Sequence, residues 1–434
     1  MPKSLTSPLT SPLKSPFRAT LRTAVSVCGL LLLVGVGGVA GVANAAGKAP
    51  KHLKQNDRTV AIDASYTDSG PEPLLARIFD AIEQNRTDEA LQFTDHLLKA
   101  YPNFRLAHLI RGDLLLARSR PLKAFGDGGT AATGDKIADL RDEAVVRLKG
   151  YRSKPSADNV PRYLLQMQPD QKHAVVVDTQ KSRLYLYQND NGTPRFVADY
   201  YITQGKLGSE KLREGDKKTP IGVYHVTSSL SRQKLGDFYG SGAFPINYPN
   251  DWDKRQGRGG HGIWLHGTPS DTFSRPPKAS DGCVVLTNQD LNALAKSLQV
   301  GLTPVIISNS IEWLSLDDWQ TERTSLLQMI EEWRQDWESR DVERYARHYS
   351  PKFSADGQAY QSWVEQKRKV NAGKSWIKVG TSNISMFRNP GREEYVVVTF
   401  EQDYRSNNLS NQMKKRQYWI KDGGRWKIVF EGAA

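Results

Sequence analysis

Apolar positions along this chain change their spacing three times, and each change marks a boundary. Residues 24–42 form an almost purely apolar run that closes on Ala43-Asn44-Ala45. After a polar, patternless stretch the spacing becomes helical. Leu75, Ile78 and Phe79, then Ala90, Leu91, Leu97 and Leu98, then Leu106, Leu109 and Leu114 recur at steps of three and four. Such steps place them on one face of each helix, with breaks at Asn85-Arg86 and Tyr101-Pro102-Asn103. A Gly/Thr-rich break at 126–134 precedes a further helix over about 136–149. At Lys172 the period drops to that of strands. Residues 173–178, 182–187, 195–202, 222–227, 262–266 and 303–308 are predicted strands, with a helix over 288–298. Past residue 322 a helix returns, with Leu326, Ile330, Trp333 and Trp337 on one face. Strands over 395–400, 415–421 and 425–430 follow, the last two joined by an Asp422-Gly423-Gly424 turn.

These shifts predict a multidomain α+β protein. Its parts are an N-terminal signal or uncleaved anchor (1–45), a linker (46–68), a helical domain (69–165), a mostly-β domain (172–309) and an α+β domain (322–434). The first 22 residues are basic and free of acids, which with the apolar run and the small-x-small exit describes a secretory signal. The run is nearly long enough to span a bilayer, so a retained membrane anchor is the competing reading. Either way the body lies outside the cytoplasm, in the periplasm or cell envelope.

Charge sharpens the choice of partner. The chain carries a formal surplus of 13 positive charges. Lys3, Lys14, Arg18 and Arg22 supply four of them in the leader. The rest suits an anionic polymer at a cell surface, and export removes nucleic acid from consideration.

Only two cysteines occur, and Cys28 falls inside the apolar run. Cys283 is left alone in the body, so it has no internal disulfide partner. It sits in Ser280-Asp281-Gly282-Cys283-Val284-Val285, seventeen residues after His266-Gly267-Thr268. A thiol becomes a strong nucleophile only as thiolate, and a nearby imidazole can accept its proton. His266 is the candidate base, and the Gly267 carbonyl can hold its second ring nitrogen. Gly282 permits a tight turn, so that the Gly282 and Cys283 amides can face a developing oxyanion. Ser280 offers a hydroxyl to the loop or to substrate. His261 is the rival base; in an unbroken strand over 262–266 it would face away from His266. The same opposition argues against a zinc site on His261, His266 and Cys283, and no cofactor is expected.

The spacing His266-Gly267, then Ser280-Asp281-Gly282-Cys283-Val284, resembles the L,D-transpeptidase (YkuD-type) family of peptidoglycan enzymes. Thr219-Pro220-Ile221-Gly222 matches a second family motif. The resemblance covers 172–309 and implies a β-rich catalytic fold, a Cys283 acyl-enzyme with peptidoglycan stem peptides, and His266 as base. Asp281 stands where the family has His, and Val285 where it has Arg. The tail resembles nuclear-transport-factor-2-like cones, which serve as enzymes, binders or dimerisation modules, so a homodimer is one option. The three-part order is similar to the L,D-carboxypeptidases that set helical cell shape. The implied reaction is transfer of the tetrapeptide acyl group to an amine, with water as the alternative acceptor. A lid that excludes water would favour the amine, and the loop over 271–279, with Pro276-Pro277, is the candidate. An inactive wall-binding scaffold is the reading of another class.

Overall fold

The computed structural model describes residues 70–127, 134–156, 158–355 and 358–434. The expected signal or anchor and the linker lie outside the described residues. Among the described residues no helix is long and apolar enough to cross a membrane.

Four helices come first: α1 Pro71–Glu83, α2 Thr87–Ala100, α3 Arg105–Ala117 and α4 Gly134–Arg152. Proline opens α1 at a position whose amide needs no partner. Leu75, Ile78, Ala90, Leu97, Leu106 and Ile110 meet in one core, as the helical spacing requires.

Residues 173–308 build the β-rich part around a five-stranded sheet. Its order is Thr193–Tyr201, Arg183–Asp190, His173–Asp178, Pro304–Ser308, Gly222–His225. Most neighbours are antiparallel, but Pro304–Ser308 runs parallel to His173–Asp178. The run Ala174-Val175-Val176-Val177 is apolar throughout because both faces of this strand are covered. Val175 and Val177 face Phe244, Leu265, Val284 and Leu286 of a second, four-stranded sheet and its flank. Ala174 and Val176 face the opposite way, into a core shared with Phe387, Tyr395, Val397 and Tyr418 of the C-terminal sheet. The tail is therefore packed on the five-stranded sheet through a common apolar layer.

In the tail, the helix Leu316–Glu338 buries Leu326, Ile330, Trp333 and Trp337 against a curved sheet. That sheet runs Leu164–Gln166, Ile377–Arg388, Tyr395–Ser406, Leu409–Asp422, Arg425–Ala433. Two features depart from the sequence reading. Ile377–Arg388 is a strand that the polar stretch Gly380-Thr381-Ser382-Asn383 disguises, and the sheet is irregular between Ser382 and Ser385. Residues 159–166, grouped by sequence with the helices, instead pair with strands far along the chain: Asn159–Pro161 with Trp313–Ser315, and Leu164–Gln166 with Ile377–Arg388 of the tail. A three-residue strand carries too little periodicity to be read before its partner is known.

Candidate active site

The second sheet sets the site. Its strands Trp264–His266 and Val284–Val285 run parallel, with Leu265 opposite Val284 and His266 opposite Val285. This register puts Cys283 level with Trp264. Alternate residues of adjacent strands share a face, so Cys283, directly before Val284, falls on the same side as His266.

Several bonds shape the turn before Cys283. Gly282 holds φ at +129°, and a Cβ there would lie 2.7 Å from the Lys218 carbonyl oxygen. The Ser280 hydroxyl donates to the Cys283 carbonyl at 2.6 Å and accepts from the Gly282 amide at 3.1 Å. Thr219, from the Thr-Pro-x-Gly motif, donates its hydroxyl to the Gly282 carbonyl at 3.0 Å. It accepts from the Gly205 amide at 3.0 Å. Thr219 thus joins the two motifs physically.

The expected oxyanion donors are corrected in part. The Gly282 amide is already engaged by Ser280, because the turn curls back on the hydroxyl. The Cys283 amide has no hydrogen-bond partner among the described residues. Ser280 serves the loop.

His266 is 1% exposed, and its Nδ1 lies 2.7 Å from the Gly267 carbonyl oxygen. A carbonyl only accepts, so Nδ1 carries the proton and Nε2 keeps its lone pair. Tyr239 and Phe238 flank the ring, at centroid distances of 5.2 and 6.0 Å. Burial lowers the imidazole pKa to about 4; the Gly267 bond opposes this and Arg275 adds to it. Gly267 has no room for a Cβ beside the Asn288 side chain. Asn288 accepts from the Ser241 amide and donates to the Thr268 carbonyl, both at 2.8 Å.

The half-buried Cys283 thiol donates to the Gly262 carbonyl oxygen at 3.3 Å. Burial pushes its pKa up to about 11, against the Trp264 amide and the positive charge of Arg275. Thiol and imidazole thus rest neutral, each held by a backbone carbonyl, and no hydrogen bond joins them directly. His261 stands apart. The strand begins only at Trp264, since Gly260 and Gly262 adopt positive φ. His261 is exposed in that loop, with Nδ1 3.6 Å from Glu214. Asp281 is also exposed and faces Lys206 at 3.3 Å.

The loop considered as a lid is tied down as a strap, and its anchors were not foreseen. Phe273 inserts between Tyr101 and Phe104 of the helical part, at centroid distances of 4.6 and 4.7 Å. The Ser274 hydroxyl donates to buried Glu143 at 2.6 Å, and Glu143 pairs with Arg147 at 2.9 Å. No local motif announces these contacts, because the partners lie more than 100 positions away along the chain.

The fold and the spacing of these groups define an L,D-transpeptidase-type catalytic domain, and the chain belongs to that family. Residues 172–307 match the L,D-transpeptidase catalytic domain (YkuD), and residues 325–432 match the Cds6 C-terminal NTF2-like domain. Among solved structures, Bd1075 of Bdellovibrio bacteriovorus is 31% identical, with 64% of this chain and 98% of that one covered and a TM-score of 0.57. The helical cell shape determining protein Pgp2 of Campylobacter jejuni is 26% identical over 63% of this chain and 95% of its own, with a TM-score of 0.54. A point mutant of that same protein is 25% identical, over 68% and 99%, with a TM-score of 0.54. No curated protein matches the sequence significantly.

Proposed function

We propose that the protein cleaves peptidoglycan stem tetrapeptides through a Cys283 thioester, in the cell envelope. Sulfur attacks the carbonyl carbon of the third stem residue; the S–C bond forms and the amide C–N bond to the terminal D-alanine breaks. The thiol proton passes by way of His266 Nε2 to the departing amine, so charge balances without a cofactor. The Cys283 amide, without another partner among the described residues, donates to the tetrahedral oxyanion. Water then attacks the thioester, giving His266 a proton that returns to sulfur as the tripeptide carboxylic acid leaves.

The observation that carries this reading is the parallel register of Trp264–His266 with Val284–Val285, which supports a shared face for Cys283 and His266. The choice of water as acceptor rests on architecture. The resemblance to a helical cell shape determining protein runs through 95% of that chain, so it extends well beyond the catalytic sheet. Transfer to an amine of a second stem is the other reading, favoured by the match of residues 172–307 to the transpeptidase domain. Both share the first half-reaction. Purified protein incubated with tetrapeptide muropeptides separates them: tripeptide alone marks the carboxypeptidase, and dimers mark the transpeptidase. Cys283→Ala abolishes either product. If neither product forms and a carbapenem adds no mass at Cys283, the protein is an inactive wall-binding scaffold.

A further inference from the structure

Arg275 is a cation set against Phe238, a ring that borders His266. Among the described residues it forms no ion pair: Asp281, the acid nearest the site in sequence, is turned to Lys206 at 3.3 Å. The guanidinium instead lies over the Phe238 ring at 4.4 Å and donates to the Phe238 carbonyl at 3.3 Å. Phe238 in turn borders His266. These contacts engage one face and one nitrogen of the fork and leave its other donors unused. The positive charge of Arg275 lowers the pKa of both Cys283 and His266.

The backbone behind this side chain is fixed from two sides. The Arg275 carbonyl accepts from the Tyr201 and Thr203 hydroxyls, both at 2.9 Å, and Thr203 also holds the Pro276 carbonyl. On the other side Phe273 and Ser274 are gripped by the helical part through Tyr101, Phe104 and Glu143. A long side chain that leaves a rigid main chain and lies against the ring flanking His266 is preorganised to receive an anion. The proposed substrate supplies one: the terminal carboxylate of the leaving D-alanine lies three bonds from the carbonyl carbon that sulfur attacks.

We propose that Arg275 binds the terminal carboxylate of the stem peptide, and that the helical part positions it by holding Phe273 and Ser274. This rests on the stem-peptide reading above and names the group that selects for a free peptide terminus. A charge-assisted pair of this kind corresponds to about 10- to 100-fold in affinity.

The test is a binding titration in the Cys283→Ala background, which removes chemistry from the readout. The ligands are the tetrapeptide L-alanyl-D-glutamyl-diaminopimelyl-D-alanine and its C-terminal carboxamide. The parent variant is expected to prefer the free acid about tenfold or more, and Arg275→Gln to lose that preference while binding the carboxamide as before. Arg275→Lys keeps the charge and is expected to keep part of the preference, which guards against a Gln variant that fails to fold. Equal affinities of the parent for acid and amide, or a preference that survives in Arg275→Gln, overturn the role of Arg275 and leave the stem-peptide reading intact. No binding of either ligand to the parent overturns both.

Discussion

The Cys283 thiol donates to the Gly262 carbonyl while His266 Nδ1 donates to the Gly267 carbonyl, so each member of the pair is anchored to its own stretch of backbone. With thiol pKa raised and imidazole pKa lowered, the thiolate–imidazolium pair is not the resting state. In the proposed mechanism the proton moves when substrate displaces the thiol from Gly262.

Alkylation of the free protein by iodoacetamide tests this. With a thiol pKa near 11, the reactive thiolate is about 100-fold scarcer at neutral pH than in a cysteine titrating near 9. The expected rate is slow at pH 7 and climbs about tenfold per pH unit toward pH 11. A rate already at its plateau at pH 7 contradicts the neutral pair.

Stability should respond to pH with a defined sign. His266 titrates near 4 in the fold and near 6.5 unfolded, so between these values the unfolded chain binds more protons. Its contribution is complete above about pH 6.5 and is lost as pH falls toward 4, by about 3 kcal/mol. Cys283, raised from 9.0 to about 11, acts oppositely: stability is lost as pH rises from 9 to 11. Unfolding midpoints of wild type and His266→Gln, measured from pH 4 to 8, should show a shallower acid decline in the variant.

Gly282→Ala should damage both fold and activity. The added methyl meets the Lys218 carbonyl at 2.7 Å at a φ that disfavours any side chain. The expected cost is about 2 kcal/mol or more in denaturant unfolding, with turnover of tetrapeptide reduced about 100-fold through misplacement of sulfur. Ser280→Ala removes two loop bonds and should cost about 1–2 kcal/mol.

The Glu143–Arg147 pair is buried to 1% exposure on both sides. Removing one partner of such a pair leaves a buried charge with fewer compensating bonds, so Glu143→Ala should destabilise by about 3 kcal/mol. Because Ser274 loses its anchor as well, tetrapeptide turnover should fall, whereas alkylation of Cys283 at pH 9 should not. An unchanged turnover in a folded Glu143→Ala protein would detach the helical part from the active site.

How far the site was legible in sequence differs residue by residue. Cys283, Gly282 and His266 are readable as candidates because their chemistry is local: a lone thiol, a turn that demands glycine, an imidazole beside a second glycine. Thr219 was visible as a motif, but its hydrogen bond to Gly282 was not. His261 and His266 do not lie on opposite faces of one continuous strand, as their spacing suggested: a loop with two positive-φ glycines carries His261, and the strand begins at Trp264. Arg275 and Phe273 carried no signal of their own, since an arginine in a Pro-rich loop is ordinary until its surroundings are known.

Residue order alone set the periodicities, and with them the helices that bury Leu75 and Trp333 and the strand that is apolar on both faces. It also named the candidate pair, since thiol and imidazole chemistry belongs to residue types. Folding in three dimensions settled what those faces cover: Val175 toward the site, Val176 toward the tail. It also settled that residues 159–166 close sheets with strands 150 or more positions away, and that a helical part grips the strap bearing Arg275. Periodicity records that a side chain needs a partner and is silent on which distant segment supplies it.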